Sequence, residues 1–283
     1  GAIDKTWEFV CEKTGVVYKR QKIDLPIKSK EDVIEKIYSG LTKNTRAIFI
    51  SHITSPTGLI FPVKEICQIA KEHNLITIID GAHVPGHIDL NIKDLDVDIY
   101  VGACHKWLLC PKGVSFLYVN TRLQEKIEPL IISWGFNNDE FTDTIFQNHH
   151  LWQGTQDISR YLTVPAAINF RKQYDWGEIS NQSKKIILEF HNQIHNRFPI
   201  EPIIKDAPLN WLGQMCTFPF NIDYSKINQI KERLIKHYKI EIPVIYWNNN
   251  TYLRISINGY NNWNDIDRLF DCLINEKKMF NNY

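Results

Sequence analysis

Short apolar runs alternate with amphipathic segments between residues 29 and 120. The apolar runs have little polar alternation, which is typical of strands covered on both faces of a parallel sheet. The segments between them carry apolar residues three and four positions apart, and this spacing predicts helices. The alternation therefore predicts an α/β fold, with a mainly parallel sheet flanked by helices. The predicted strands are 46–53, 75–80, 98–103 and 114–120, and the predicted helices are 29–41 and 62–74.

The pattern changes after residue 157. Two longer amphipathic stretches, 158–175 and 179–198, predict long helices. Short extended segments and further helices follow them, which indicates a smaller α+β unit. We place the boundary so that residues 1–172 form a large α/β domain and residues 173–283 form a small C-terminal α+β domain.

Charged and polar residues stand where the predicted strands end. Asp80 closes the strand 75–80, Lys106 follows the strand 98–103 by three residues, and His52 lies at the end of the first strand. Buried strands rarely finish in charges without a chemical reason. Ligands of open parallel sheets bind beyond the carboxyl ends of the strands. We therefore expect these side chains to meet at one edge of the sheet.

A lysine and a carboxylate that face one heteroaromatic ring are what pyridoxal phosphate chemistry requires. A lysine with a lowered pKa is a good imine-forming nucleophile. A carboxylate next to the pyridine nitrogen keeps that nitrogen protonated, so that the ring accepts electrons. The spacing of Asp80 and Lys106 does not by itself exclude the plainer alternative, in which the carboxylate caps a turn and the lysine is solvated.

Composition excludes several other classes of protein. Of the 283 residues 43% are hydrophobic and 23% are charged, which are ordinary globular values. The net charge of +1 provides no broad field that would attract nucleic acid, and no apolar run is long enough to predict a membrane span. Six cysteines without CxxC spacing favour reduced thiols in a cytoplasmic setting and argue against zinc or any other metal site. No GxGxxG follows a strand, which disfavours a nicotinamide-binding fold.

Six segments in fixed order give the sequence a family resemblance. Together they resemble the class V aminotransferases, which are fold-type I enzymes that use pyridoxal phosphate, and within them the isopenicillin N epimerase-like branch. The resemblance extends over essentially the whole chain, and six ordered motifs are far more specific than any one of them. The segments are "SHITSPTGLIFPVKEI", "IDGAHVPGHIDL", "DIYVGACHKWLLCPKGVSFLYV", "LWQGTQDISRYLTVPAAI", "IEIPV" and "YLRISINGYNNWNDIDRL".

The resemblance implies four residues that contact the cofactor. Lys106 matches the lysine that forms the Schiff base, and Asp80 matches the carboxylate paired with the pyridine nitrogen. His83 matches the position that contacts the 3-oxygen of the ring, and His105 matches the residue that lies near the phosphate. Both histidines could instead be structural residues.

The resemblance also implies residues that bind the substrate and a second subunit. Arg254 matches the arginine that binds the substrate α-carboxylate, for which a bidentate guanidinium is well suited. Gly154 and Thr155 match a loop that reaches the phosphate in the neighbouring subunit, so the resemblance implies a homodimer with shared active sites. His52 is a further candidate for substrate binding, although it could simply end its strand.

The function that follows from the resemblance is chemistry at the α-carbon of a small amino-acid substrate. Lys106 would remove the α-proton, and the enzyme would be epimerase-like or carbon–sulfur lyase-like. An aminotransferase of the same family is one alternative, and a non-catalytic dimer or scaffold module that lacks the cofactor is another. A mobile cysteine near the substrate arginine, which cysteine desulfurases need, is absent between Glu241 and Arg254.

Members of this family normally have further residues before the point that matches "GAIDKTW". Those residues include a loop at a helix N-terminus that holds the phosphate, because a helix N-terminus is a natural anion site. We therefore expect the chain to be a fragment of a longer protein; the alternatives are that another chain supplies these residues, or that binding of pyridoxal phosphate has been lost.

Overall fold

The computed structural model describes residues 2–138, 144–205, 208–220 and 222–276. It confirms the predicted fold class, with a mostly parallel sheet and flanking helices. The elements of the first half are α1 (Ala2–Thr14), α2 (Lys30–Tyr38), β1 (Ala47–Ser51), α3 (Val63–Glu72), β2 (Ile76–Gly81), α4 (Ile92–Leu95), β3 (Ile99–Ala103), β4 (Ser115–Val119), α5 (Thr121–Gln124) and α6 (Ile145–Leu151). Those of the second half are α7 (Val164–Gln173), α8 (Trp176–Arg197), α9 (Pro208–Trp211), β5 (Met215–Pro219), α10 (Ile227–Arg233), β6 (Val244–Trp247), β7 (Asn250–Ser256) and α11 (Trp263–Asn275).

The first sheet has the strand order β1-β2-β3-β4. Strands β1, β2 and β3 run parallel, and β4 is antiparallel to β3. In the register of the sheet Asp80 lies between Ser51 on β1 and Val101 on β3. The carboxyl ends of the three parallel strands are therefore level, as the sequence predicts, and the chain leaves the sheet towards one common edge.

Helices α2 and α3 begin at residues that are typical of helix N-termini. The Ser29 hydroxyl accepts a hydrogen bond from the Asp32 amide at 3.1 Å and caps α2. Helix α3 starts after Pro62, and Ile66 and Ala70 on its apolar stripe are completely buried. Helix α2 is thus started by a local cap, and α3 packs its apolar stripe into the core.

A second, antiparallel sheet with the order β5-β7-β6 forms in the C-terminal part. Phe190 of α8 joins this sheet to α11, because its ring lies 5.3 Å from Phe218 on β5 and 5.4 Å from Phe270 on α11. One continuous apolar core contains buried residues of both sheets. The domain boundary at residues 172 and 173 stays a prediction; it falls at the end of α7.

Two predicted helices differ from those in the structure. The stretch 158–175 begins with a short 3₁₀ turn, and α7 starts only at Val164, because Pro165 is well accommodated in the first turn of a helix but not within one. The last predicted helix, 263–278, ends at Asn275 with Glu276 as its C-cap, and residues 277–278 lie outside the described residues. Within the described part of the chain, no helix combines the length and apolar character that a membrane crossing needs.

Candidate active site

Lys106 lies in the loop after β3, and its amine reaches back towards the end of β2. The Nζ atom is 3.2 Å from Nε2 of His83. Loss of hydration around the amine lowers the pKa of Lys106, and the nearby charge of Arg254 lowers it further, whereas Asp80 acts in the opposite direction. A lysine in these surroundings spends more of its time as the free amine, which is the form that attacks a carbonyl and removes a proton.

Asp80 is half-buried at the carboxyl end of β2. One carboxylate oxygen accepts a hydrogen bond from the Ala82 amide at 2.9 Å, which turns the side chain over the strand end. Its charge acts on both Lys106 and Tyr100 and contributes to raising the pKa of the tyrosine, whose main cause is burial. The structure thus brings Asp80 and Lys106 to the same edge of the sheet.

His83 is buried beside the lysine amine. Its pKa falls to about 3, mainly because burial disfavours the charged ring and also because Lys106 and Arg254 are positively charged. The ring is therefore neutral at physiological pH. Its other nitrogen, Nδ1, lies 3.4 Å from Nε1 of Trp107.

Arg254 comes from the second sheet and faces the same space. It lies on β7 opposite Thr217, and its guanidinium donates to the Ser55 carbonyl and, at 3.2 Å, to the Ser55 hydroxyl. Its Nε is buried and has no partner among the described residues. Burial also lowers the pKa of Arg254. A guanidinium with an unused N–H is ready to bind a carboxylate.

Two further predicted histidines contact neighbouring groups. His52 is buried, with Nδ1 3.1 Å from the Tyr100 hydroxyl, and burial lowers its pKa to about 4. Its backbone amide donates to the Asp80 carbonyl at 2.9 Å, so it supports the strand end that carries the carboxylate. His105 donates from Nδ1 to the Val114 carbonyl at 2.8 Å. Their roles towards substrate and phosphate stay predictions.

Gly154 and Thr155 lie in the segment after α6. Gly154 has a φ of +100°, and a Cβ added to it would meet no atom within 4 Å. Thr155 is exposed. The structure shows no contact between this pair and Lys106 in the described part of the chain, so a role of the pair stays a prediction that involves a second subunit.

The position of His87 in a short loop after a predicted strand suggests a surface residue, and the structure shows that this prediction is wrong. His87 is buried, donates from Nδ1 to the His83 carbonyl at 3.0 Å and accepts at Nε2 from the Gln214 amide at 2.6 Å. Its partner Gln214 lies far along the chain, so no local pattern around His87 could have shown this burial. The histidine joins the loop after β2 to the second sheet.

Arg171 of α7 is a supporting residue that the sequence did not single out. It donates to the Trp107 carbonyl at 3.0 Å and to the Gly86 carbonyl at 2.8 Å, so one guanidinium holds the loops after β2 and β3. Gly86 has a φ of +83°, and a Cβ there would lie 2.5 Å from the Trp107 carbonyl oxygen. A glycine is therefore required at the closest approach of the two loops.

The residues at this edge fit the reactive half of pyridoxal phosphate. The lysine amine, the strand-end carboxylate and the buried guanidinium with an orphaned Nε are three groups of different chemistry around one space. The amine suits the aldehyde carbon of the cofactor, and the carboxylate suits its pyridine nitrogen. The guanidinium suits the carboxylate of an amino acid.

Comparisons with known proteins identify the family of the chain. The family model described as "Aminotransferase class-V" matches residues 2–269. Isopenicillin N epimerase of Amycolatopsis lactamdurans is 29% identical over 279 residues, which cover 94% of this chain and 69% of that protein. L-cysteine desulfhydrase of Arabidopsis thaliana is 27% identical over 307 residues, which cover 96% of this chain and 64% of that protein.

Solved structures show the same fold. The complex between the cystine C–S lyase C-DES and its reaction product cysteine persulfide superposes with a TM-score of 0.80 at 20% identity, and covers 96% of this chain and 71% of that one. A cysteine desulfurase from Thermococcus onnurineus superposes with a TM-score of 0.75, also at 20% identity, and covers 96% of this chain and 68% of that one. The fold and the resemblance predicted from the sequence are both confirmed.

Proposed function

We propose, from the premise that this chain belongs to the class V aminotransferase family, that it is a pyridoxal phosphate-dependent enzyme that acts at the α-carbon of an amino acid. Its reaction is epimerase-like or carbon–sulfur lyase-like, in keeping with the relatives named isopenicillin N epimerase and L-cysteine desulfhydrase. The observation that carries the proposal is the position of the Lys106 amine, 3.2 Å from His83 and within the electrostatic influence of Asp80 and Arg254.

Each of these residues has a distinct task in the proposed reaction. Arg254 binds the substrate carboxylate and thereby orients the bond from the α-carbon to its hydrogen. Lys106, as the free amine, accepts that proton. Asp80 holds a proton on the pyridine nitrogen, and the cofactor, when bound, supplies the electron sink that makes the α-proton acidic. The neutral His83 donates a hydrogen bond and takes no proton itself, in keeping with its lowered pKa.

The proposed reaction gives Cys216, whose strand β5 pairs with the strand of Arg254, no role as a nucleophile. Cys216 on β5 is completely buried, and burial raises its pKa to about 12. The thiolate needed for attack on sulfur is therefore inaccessible at neutral pH. Epimerisation requires that a proton returns to the opposite face of the α-carbon, whereas lyase chemistry requires a leaving group on the β-carbon. Neither outcome needs a thiol of this chain.

The proposal is tested by binding of the cofactor to the purified chain. Added pyridoxal phosphate should produce absorption in the violet, and borohydride should fix a pyridoxyl group on the peptide that contains Lys106. Lys112, an exposed lysine of the same segment, is the matched internal control and should remain unmodified. A colourless protein, or label spread equally over both lysines, would favour the scaffold alternative.

We also propose that the chain forms a homodimer in the cytoplasm. Large apolar side chains are exposed in and around the segment that contains Gly154 and Thr155, and a second copy would cover them. They are Leu130, Trp134, Leu151 and Leu162. The six free thiols, five of them buried, suit a reducing compartment. Light scattering should give a mass of about twice the 33.2 kDa of one chain; a monomeric mass at all concentrations would contradict the dimer.

A further inference from the structure

Trp107 follows the lysine directly and is buried against two histidines. Its ring lies 4.2 Å from the ring of His87, and its Nε1 lies 3.4 Å from Nδ1 of His83. The sequence suggests only a packing role for this residue. The contact with His83, however, places the indole N–H of Trp107 against the same histidine that contacts the lysine amine.

The proton positions in this chain of contacts follow from the chemistry of each group. An indole nitrogen can only donate a hydrogen bond, so Nδ1 of His83 must accept and carry no proton. A neutral imidazole then carries its proton on Nε2. Nε2 lies 3.2 Å from the Lys106 amine. Trp107 therefore donates a hydrogen bond to His83, and His83 donates one to Lys106, whose amine accepts it with its lone pair.

We infer that Trp107 is a positioning residue that holds His83 in the Nε2–H tautomer, and so favours the free amine of Lys106. An ammonium group at Lys106 would need to donate to Nε2, which would move the proton of the ring to Nδ1. That proton would then face the indole N–H, and two donors would oppose each other. The inference deepens the proposed function, because it names the residue that prepares the lysine for its role as nucleophile and base.

The surroundings are consistent with this assignment. His83 and Trp107 are both buried, so water does not compete for the contact. Two charged groups act on the amine: Asp80 from β2 raises the pKa of Lys106, and Arg254 from β7 lowers it. The neutral His87 bonds to the His83 carbonyl and leaves both ring nitrogens of His83 for Trp107 and Lys106. Arg171 fixes the Trp107 carbonyl and thereby holds the backbone that presents the indole.

The first test measures the tautomer directly in the unsubstituted full chain without cofactor. Nitrogen NMR of protein labelled with ¹⁵N-histidine distinguishes a protonated from an unprotonated ring nitrogen, and the Nε2–H form of His83 is expected at neutral pH. His83→Gln identifies the resonance by its loss. A ring that carries its proton on Nδ1 overturns the inference, whatever any variant does.

The second test replaces the indole and keeps the backbone contacts. In Trp107→Phe, His83 should populate both tautomers, and the pH midpoint for acylation of Lys106 by a small anhydride, followed by peptide mass analysis, should rise by about half to one unit. Trp211→Phe is the matched control, because Trp211 is similarly buried but packs against Phe61 and not against the site. Its tautomer signals and midpoint should equal those of the unsubstituted chain.

An unchanged tautomer and an unchanged midpoint in a folded Trp107→Phe variant would show that the indole only fills space. Both measurements are made without pyridoxal phosphate. They can therefore fail while the cofactor still binds Lys106, or succeed in a chain that binds no cofactor. Failure of this inference is thus distinguishable from failure of the proposed function.

Discussion

Lys106→Ala should lower the rate of α-proton exchange by about 10³- to 10⁴-fold, because in the proposed function this lysine both binds the cofactor covalently and takes the proton. The exchange of the α-hydrogen of an amino-acid substrate for deuterium, followed by proton NMR in heavy water with saturating pyridoxal phosphate, measures this step. The readout applies equally to an epimerase, a lyase and an aminotransferase, since all three begin with it. L-Cysteine and isopenicillin N are the first substrates to test, in view of the named relatives.

The control for this prediction is Lys112→Ala. Lys112 is exposed in the same segment, and its loss removes the same charge and side-chain length without touching the strand-end site. It should keep the exchange rate of the unsubstituted chain. If Lys106→Ala also kept that rate, another group would have to be the base, and the central assignment would be wrong.

Arg254→Lys should lower kcat/KM by about 10²-fold or more, mostly through a higher KM, because a lysine retains the charge but cannot replace the planar guanidinium fork. The native side chain bonds to Ser55 through Nη1 and has further N–H groups that can bind a carboxylate, and a single ammonium group cannot do both. Arg268→Lys on the exposed face of α11 is the matched control and should leave the kinetics unchanged.

A substrate series sharpens the test of Arg254. Amino-acid amides lack the carboxylate, so the preference of the enzyme for acid over amide should shrink in Arg254→Lys and persist in Arg268→Lys. An undiminished preference in the first variant would mean that another residue binds the carboxylate.

The strand-end chemistry was accessible from the sequence because it depends on local order. Asp80 and Lys106 each follow an apolar run, and parallel strands bring such positions to one edge without further information. The register of Asp80 between Ser51 and Val101 agrees with that argument. Arg254 was found by resemblance alone; nothing in the alternation of β7 identifies it.

The groups that support the site could not be predicted in the same way. His87 bonds to Gln214, and the carbonyl of Trp107 bonds to Arg171; in both cases the partner lies far along the chain. A histidine in a short loop is as often solvated as buried, and periodicity cannot tell the two apart. Gly86 gave a signal, since a glycine after a proline indicates a turn, but the carbonyl it accommodates became visible only in the fold.

The bond from Gln214 to His87 has a consequence for substrate choice. Gln214 also exchanges hydrogen bonds with Ile257, which directly follows β7, the strand that carries Arg254. Gln214 thus connects the end of the strand that carries Arg254 to the loop after β2 that carries His83, the histidine in contact with Lys106. We expect these bonds to limit the movement of Arg254 relative to the lysine. A site of fixed width selects substrates by the distance between their amino group and their carboxylate. We therefore expect α-amino acids to bind better than their β- and γ-homologues.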